Sequence, residues 1–253
     1  MAAVVPIAVS PRARAAAVTA LRARLRGLGT GAAPGAAVPL GVPAVDRFLP
    51  GGLARRGVHE VTAASEGDLG AATGFLLALL RRLAPRMPVL WARAADPAAG
   101  VPYAPGLAAA GVAPGRLLLL VARRPVEALW AAEEALRAGR VAVVAELDAI
   151  DLTAGRRLQL AAEAGGGPAL VLCRRAERRT ASAARSRWRV AAAPGEGTAA
   201  DGVGRSRWRV ALVRCRGGGE GEWLVEWDDA TDHLAVAAEL ADRPLAAASR
   251  RAG

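Results

Sequence analysis

The chain has 253 residues, with 34 basic and 23 acidic side chains, a formal net charge of +11 and a hydrophobic fraction of 53%. This length can bury a sizeable core, so we expect one α/β domain with short appendages. No apolar run approaches the ~18 residues of a membrane span. The N-terminal charges follow a short apolar patch, the reverse of a secretory signal. We therefore expect a cytoplasmic protein without membrane association.

Metal and lysine chemistry have little support in the composition. Cys173 and Cys215 lack CxxC spacing, and His59 and His233 are far apart without companion ligands. We expect two reduced thiols, no disulfide and no metal site. All 34 basic residues are arginine, so lysine-dependent chemistry is excluded.

The charge is unevenly distributed along the chain. Residues 174–216 carry 12 arginines against Glu177, Glu196 and Asp201, a balance of +9, whereas residues 217–253 carry eight acids against three arginines, a balance of −5. A basic block followed by an acidic segment indicates a surface for a polyanion with an electrostatic competitor attached.

The N-terminal part predicts a helix on a flexible linker. Val18, Leu21 and Leu25 recur at helical spacing after a Ser-Pro start, which predicts a basic amphipathic helix over 11–26. A Gly/Ala/Pro stretch at 29–38 follows it. We place a first unit at 1–38, a core at 39–227 and an acidic C-terminal tail at 228–253.

Apolar segments alternate with helical patterns through the core. Strands are predicted at 57–63, 87–93, 116–122, 141–146 and 168–173, and helices at 70–84, 125–138 and 151–165. Continuous apolar strands that alternate with helices are typical of a parallel sheet covered on both faces. Period-two alternation at 185–193, 205–214 and 222–227 predicts an antiparallel extension.

The extension contains the repeat RSRWRV, at 185–190 and again at 205–210. In an extended strand its arginines share one face, opposite the tryptophan and valine. The tryptophans are most simply core anchors, with base stacking as the alternative. The arginines form either a solvated face or a nucleic-acid surface. These arginines are Arg185, Arg187, Arg189, Arg205, Arg207 and Arg209.

The order of segments resembles a RecA-type core over roughly residues 10–227. "PLGVPAVDRFLPGGLARRGVHEVTA" is similar to the start of that core, where a Gly-Gly-Leu turn leads to the strand before the P-loop. The phrases "YAPGL", "LWAAEEALRAG" and "DLTAGRRLQLAAE", with the paired "RWRV" strands, are similar to the ImuA family. That family comprises RecA-like accessory proteins of SOS mutagenesis, encoded beside the polymerase-like ImuB and a DnaE-type error-prone polymerase.

The segment matched to the P-loop lacks the groups that hold a nucleotide. A working loop reads GxxxxGK[ST], in which backbone N–H groups cradle phosphates, lysine reaches them and Ser/Thr holds magnesium. Here Ala71 stands at the lysine position, Ala72 at the Ser/Thr position, and Glu66 and Asp68 add negative charge. The degenerate loop comprises Ala63, Gly67, Gly70, Ala71 and Ala72.

Two further parts of the family's ATPase are missing. Ala92, Arg93 and Ala94 stand where the resemblance implies a water-activating glutamate, and Ala145 matches the magnesium-associated aspartate, with Glu146 one place off. Because phosphoryl transfer depends on such electrostatic groups, we expect no catalysis and no cofactor. An arginine could partly replace the lysine, so weak nucleotide binding stays open.

The loops that bind DNA in RecA-like recombinases are short here. Only 147–150 remain of the first, and about ten residues after Cys173 remain of the second. Arg174, at a position where the family senses nucleotide, and Arg175, Arg178 and Arg179 are candidate phosphate contacts, because arginine binds phosphate oxygens in bidentate fashion. An arginine-rich loop without a ligand is the alternative.

The resemblance implies a non-catalytic adaptor of damage-induced translesion synthesis, associated with the nucleoid after DNA damage. Implied partners are an ImuB-like protein, RecA and single-stranded DNA. The alternatives are a nucleotide-binding recombinase paralogue with weak ATPase and an SOS cell-division inhibitor. Val18, Leu21 and Leu25 could contact RecA or pack on the protein's own core, and Trp223 and Trp227 in the acidic segment 220–242 could contact ImuB.

Overall fold

A ten-stranded sheet with helices on both faces dominates the structure. The computed structural model describes residues 3–5, 16, 19–21, 23, 37–96, 100–174, 181–195, 205–228 and 233–239. Its strands are β1 (Ala3–Val5), β2 (Ala37–Val38), β3 (Leu53–Ala54), β4 (Gly57–Ala63), β5 (Val89–Ala94), β6 (Leu117–Ala122), β7 (Ala142–Leu147), β8 (Pro168–Cys173), β9 (Ser186–Ala193), β10 (Arg207–Cys215), β11 (Gly221–Asp228) and β12 (His233–Glu239). The helices are α1 (Pro43–Asp46), α2 (Leu69–Leu83), α3 (Ala104–Ala109), α4 (Pro125–Ala138) and α5 (Leu152–Gly165). None of the described helices is both long and apolar enough to cross a bilayer.

The strand order is β1-β6-β5-β7-β8-β4-β9-β10-β11-β12, and β2 pairs with β3 in a separate two-stranded sheet. Pairing is parallel from β1 to β9 and antiparallel from β9 to β12. The predicted α/β class, with a mostly parallel RecA-like sheet and antiparallel C-terminal strands, is confirmed. One detail differs, because β9 is itself parallel to β4 and the antiparallel part begins only at β10.

Both edges of the sheet extend beyond the prediction. His233–Glu239 pairs with β11, although the sequence placed an acidic tail from residue 228 onward. The flanking acids obscured a short alternating run, in which Leu234 is buried while His233 and Ala235 are exposed. At the opposite edge β1 pairs with β6 over three residues, too few for periodicity to detect.

Local chemistry accounts for the helix boundaries near the later strands. Pro125 occupies the first turn of α4, and the Glu127 carboxylate accepts the Arg124 backbone N–H at 3.2 Å. In α5 the Asp151 carboxylate accepts the Ala154 N–H at 2.8 Å, and Gly166 ends the helix with φ +77°. Both helices begin at the carboxyl edge of the sheet and end at its amino edge, antiparallel to the strands.

The two faces of the sheet have different cores. On the α2 face, Phe75 lies between Trp188 and Trp208, with ring centroids 5.3 and 6.4 Å away. On the opposite face, under α4 and α5, alanine is the most frequent core residue. Leu21, from the helical N-terminal positions, belongs to that second cluster and is 3% exposed.

The two RSRWRV copies lie on neighbouring strands, and their final residues are opposite each other. Val190 lies opposite Val210 in the β9–β10 ladder, so the copies are related by an approximate two-fold axis. Both tryptophans point to α2, and a Cβ added at Gly74 would lie 2.6 Å from Trp208 Cζ2. Trp188 is 0% and Trp208 7% exposed, which confirms the core-anchor interpretation over base stacking.

The contact between α2 and β10 predicts opposite effects for two glycines of one helix. Gly74→Ala should destabilise by about 1–3 kcal/mol, because the added methyl overpacks against the Trp208 ring. A Cβ added at Gly70 would meet nothing within 4 Å, so Gly70→Ala should be neutral or stabilise by up to about 1 kcal/mol. Urea unfolding of both variants measures the difference, and equal effects would contradict the contact.

A buried chain of hydrogen bonds joins β3, β4 and β9. His59 is 1% exposed; its Nε2–H donates to the Ala54 carbonyl oxygen at 2.8 Å. The Ser186 hydroxyl lies 2.7 Å from His59 Nδ1 and 2.7 Å from Trp188 Nε1, so it donates to the histidine and accepts from the indole. This arrangement requires a neutral imidazole. Burial lowers the pKa of His59 to about 4, against the opposing effect of the Ala54 hydrogen bond.

Stability should therefore depend on pH through His59. The unfolded chain binds a proton near the ordinary pKa of ~6.5, whereas the folded state resists protonation until about pH 4. Stability is lost as pH falls through this window, by up to about 3 kcal/mol. His59→Gln should abolish this component of the pH dependence in urea unfolding, whereas the control His233→Gln should retain it. The same slope in both variants would contradict the assignment.

Candidate nucleotide and nucleic-acid site

The loop between β4 and α2 is closed against β9. It follows the strand–loop–helix order that the sequence predicts, with a single 3-10 turn at Glu66–Asp68. The Ala64 N–H donates to the Val190 carbonyl oxygen at 2.8 Å, which attaches the loop to the neighbouring strand. The position of β9 beside β4 therefore determines the course of the loop.

Asp68 holds this loop with its carboxylate. One oxygen accepts the Ser65 hydroxyl at 2.7 Å, and the other accepts the Ala192 backbone N–H of β9 at 2.8 Å. The Ser65 and Ala192 hydrogen bonds keep the pKa of Asp68 below its ordinary value. A fixed negative charge thus lies at the start of α2, where a phosphate would require positive charge and free N–H donors.

The positions matched to the P-loop lie where the sequence places them. Ala63 ends β4 and is buried, and Ala72 is 0% exposed within α2. Ala71 is half-buried and packs against the core of the α2 face. Gly67 and Gly70 are exposed. The methyl groups at the lysine and Ser/Thr positions provide packing but no charge or hydroxyl.

A buried ion pair joins the carboxyl ends of β5 and β7. Arg93 and Glu146 are partners in the strand register, and Arg93 Nη2 lies 3.5 Å from Glu146 Oε1. Trp91 Nε1–H donates to the other carboxylate oxygen at 3.1 Å, and Arg93 Nη1 donates to the Gly100 carbonyl oxygen at 2.6 Å. Glu146, one place from the expected metal ligand, is therefore occupied by the chain's own donors.

Arg174 is held in the same way at the end of β8. Its guanidinium contacts Asp148 Oδ1 at 2.7 Å and Asp96 Oδ2 at 2.8 Å. Burial favours a lower pKa for Arg174, but the bonds to Asp148 and Asp96 outweigh it and raise the pKa. Arg174 thus ties together the ends of three strands, a use that competes with the predicted contact to phosphate.

The carboxyl edge of the sheet is therefore occupied by compensating charges. In parallel α/β sheets this edge is the usual place for ligands. In the part of the chain that the structure describes, no three His, Cys, Asp or Glu side chains come together as a metal-binding group. The ion pairs of Arg93 and Arg174 cross-link the strand ends at this edge. The sequence signal was present in Asp148, which directly follows β7, and in Asp96, two residues after β5.

Two of the three arginines in the first RSRWRV copy also have acidic partners. Arg187 Nε donates to the buried Glu60 carboxylate on the neighbouring strand at 2.6 Å. Arg185 Nη2 contacts Glu163 Oε1 of α5 at 2.9 Å. Arg189 is half-buried between Thr62 and Ala211 in the strand register. Two of the three arginines therefore serve contacts between elements.

The second copy follows the same pattern across the β10–β11 ladder. Arg207 Nε lies 2.8 Å and Arg205 Nη1 3.4 Å from the Glu226 carboxylate. Arg205 also lies 3.6 Å from Asp228, and Arg209 lies 3.8 Å from Glu222. Sequence reasoning missed these pairs, although period-two alternation in EWLVEW already placed Glu222 and Glu226 on one face. Arg175, Arg178 and Arg179 lie outside the described residues.

The predicted partner contacts lie mostly in the interior or outside the described residues. Leu21 is buried in the core, which favours packing on the protein's own domain over an exposed docking helix. Trp223 is 2% exposed and packs edge-on against Phe48 at 5.3 Å, because it belongs to the core on the α2 face of the sheet. Trp227 is half-buried against the same core. Val18 and Leu25 lie outside the described residues.

Comparison with known proteins identifies the family of this chain. No protein-family model matches the chain. It is 42% identical over 235 residues to the proteins named "Protein ImuA" of Caulobacter vibrioides strains NA1000 / CB15N and ATCC 19089 / CIP 103742 / CB 15. Each alignment covers 85% of this chain and 94% of the relative. This identity and coverage show that the chain belongs to the ImuA family.

Proposed function

We propose that this protein is a non-catalytic adaptor of a damage-induced translesion synthesis complex. The observation that carries the proposal is the occupation of the nucleotide edge by the chain's own charges. Asp68 binds Ser65 and Ala192, Glu146 binds Arg93, and Arg174 binds two aspartates. Membership of the ImuA family supports the mutagenesis context.

The energetics of phosphoryl transfer support the non-catalytic part. Catalysis there comes almost entirely from positioning and electrostatic stabilisation of the transferred group. A nucleotide at this edge would meet the Asp68 carboxylate and two alanines in place of lysine and Ser/Thr. Releasing Arg93 to replace the lysine would break a buried ion pair, which costs about 3–5 kcal/mol in typical cases. Releasing Arg174 would break its partly exposed pairs with Asp96 and Asp148, which costs less.

The proposed partners are an ImuB-like polymerase-family protein, RecA and single-stranded DNA. The acidic side chains of β11 are paired with Arg205, Arg207 and Arg209, so we favour the acids within residues 229–242 over the buried Trp223 as contacts for ImuB. The N-terminal segment is a weaker candidate for RecA than the sequence indicates, because Leu21 faces the core. Nucleoid association after damage is part of the same proposal.

A deletion strain tests the proposed function. Ultraviolet irradiation should fail to induce mutation in the deletion strain, and the intact chain supplied in trans should restore it. The purified protein should show no ATP hydrolysis with or without single-stranded DNA. Calorimetric ATP binding in the micromolar range, with turnover lost on substitution within 63–73, would favour the recombinase paralogue. Normal induced mutation with loss of filamentation would favour the division inhibitor.

Two adjacent helical positions test whether the N-terminal segment belongs to the core. Leu21→Glu should destabilise the protein by at least about 3 kcal/mol, since it puts an unpaired carboxylate among alanines and leucines. Ala20 is exposed, so Ala20→Glu should change stability by less than about 0.5 kcal/mol. Thermal and urea unfolding give both values. If the Leu21→Glu protein is stable but no longer binds RecA, the result would support the interpretation of this segment as a docking helix.

A further inference from the structure

Six arginines gather at the amino edge of the sheet, opposite the edge matched to the nucleotide site. We name this group the amino-edge corner. α2, α4 and α5 all end there, because they run antiparallel to the strands that precede them. The corner comprises Arg55, Arg56, Arg82, Arg86, Arg116 and Arg140.

Three of these arginines are fixed by carbonyl oxygens rather than carboxylates. Arg55 Nη1 donates to the Leu83 carbonyl at 2.6 Å, and Arg116 Nη2 donates to the carbonyls of Ala84 and Met87 at 2.8 Å each. Arg82 Nε donates to the Leu40 carbonyl at 2.7 Å. These bonds orient the guanidinium groups around the end of α2 without neutralising them.

The other three arginines are exposed at the same place. Arg86 lies in the turn between α2 and β5, and a Cβ added at Gly166, which ends α5, would lie 3.7 Å from Arg56 Nε. The Ala142 N–H donates to the Pro88 carbonyl at 2.9 Å, which brings the segment containing Arg140 beside the one containing Arg86. Arg56, Arg86 and Arg140 make no side-chain hydrogen bond with any described residue.

Three acids near the ends of α4, α5 and α1 are already engaged. Glu133 accepts Arg137 and Arg157, and Glu163 accepts Arg185. Asp46 accepts the three backbone N–H groups of residues 40–42 at 2.7 to 3.0 Å. Within the described ranges, none of the six corner arginines forms an ion pair.

Helix dipoles offset only part of the charge. Each helix C-terminus carries roughly −0.5 elementary charge, so three ends contribute about −1.5. Six guanidinium groups contribute six positive charges, which leaves most of them uncompensated. The corner thus contrasts with the β10–β11 ladder, where Glu222, Glu226 and Asp228 lie within ion-pair distance of the arginines.

The surroundings of the corner decide which polyanion fits. Large exposed apolar side chains occur elsewhere in the described structure, at Val101, Tyr103, Val126 and Leu160. A membrane or a protein interface uses apolar anchors, whereas binding to a nucleic-acid backbone needs only directed positive charge. We propose that the amino-edge corner binds the sugar–phosphate backbone of a nucleic acid without sequence preference. This inference rests on the proposal that single-stranded DNA is a partner and assigns a surface to it, whereas the lack of ATP hydrolysis and the role in induced mutation are tested separately.

Charge-matched triple variants test the corner. Arg56→Gln, Arg86→Gln and Arg140→Gln together remove three exposed charges that have no described partner, so the melting temperature should be unchanged. The dissociation constant for a fluorescein-labelled single-stranded oligonucleotide of mixed sequence should rise at least about tenfold. The slope of log affinity against log salt should become shallower by about 2, because each lost phosphate contact contributes ~0.7.

The control removes the same charge elsewhere. Arg123→Gln, Arg156→Gln and Arg157→Gln change exposed arginines outside the corner, and the affinity should change less than about threefold. Equal losses in both triples would show a net-charge effect and overturn the inference. A parent protein that does not bind the oligonucleotide, or a corner triple that loses only binding to anionic phosphatidylserine vesicles, would overturn it as well.

Discussion

The contact of α2 with β9 and β10 determines how the rest of the molecule is arranged. Phe75 inserts between Trp188 and Trp208, and the ring of Trp208 lies over Gly74. This contact joins the antiparallel strands to the parallel core and holds β9 beside β4. The backbone of β9 can then bind Ala64 and Asp68, which closes the loop where a related ATPase would hold phosphate. The closed course of the β4–α2 loop and the extension of the sheet are therefore physically connected.

Sequence patterns predicted the fold more completely than the surfaces. Continuous apolar strands and capped helices depend on local chemistry, and α4 begins and ends at the predicted residues, Pro125–Ala138. The strand–loop–helix order at residues 57–83 also followed from the sequence. Surface charge was harder, because the partner of Arg187 is 127 positions away in sequence, at Glu60. The strand β12 was missed because its pairing depends on β11 more than on its own composition.

Arginine in this chain has several physical uses, so its number alone predicts little about ligands. At the carboxyl edge, Arg93 and Arg174 cross-link strand ends through carboxylates. At the amino edge, Arg55 and Arg116 bind the free carbonyl groups at the end of α2, which a helix leaves without partners. A planar group with five donors suits both uses. Only the second leaves its charge available for an external anion.

The different linings of the two faces imply different tolerance to substitution. The α2 face is filled by tryptophan, phenylalanine and leucine. Substitutions by smaller side chains should therefore destabilise it most, because they leave a cavity. The opposite face brings α4 and α5 so close that a Cβ at Gly165 would lie 1.6 Å from the Leu136 carbonyl oxygen. Alanine is frequent on that face, so substitutions by larger side chains should destabilise it most. Among relatives, we therefore expect core side chains on the α2 face to keep a minimum size. Those on the opposite face should stay below a maximum size.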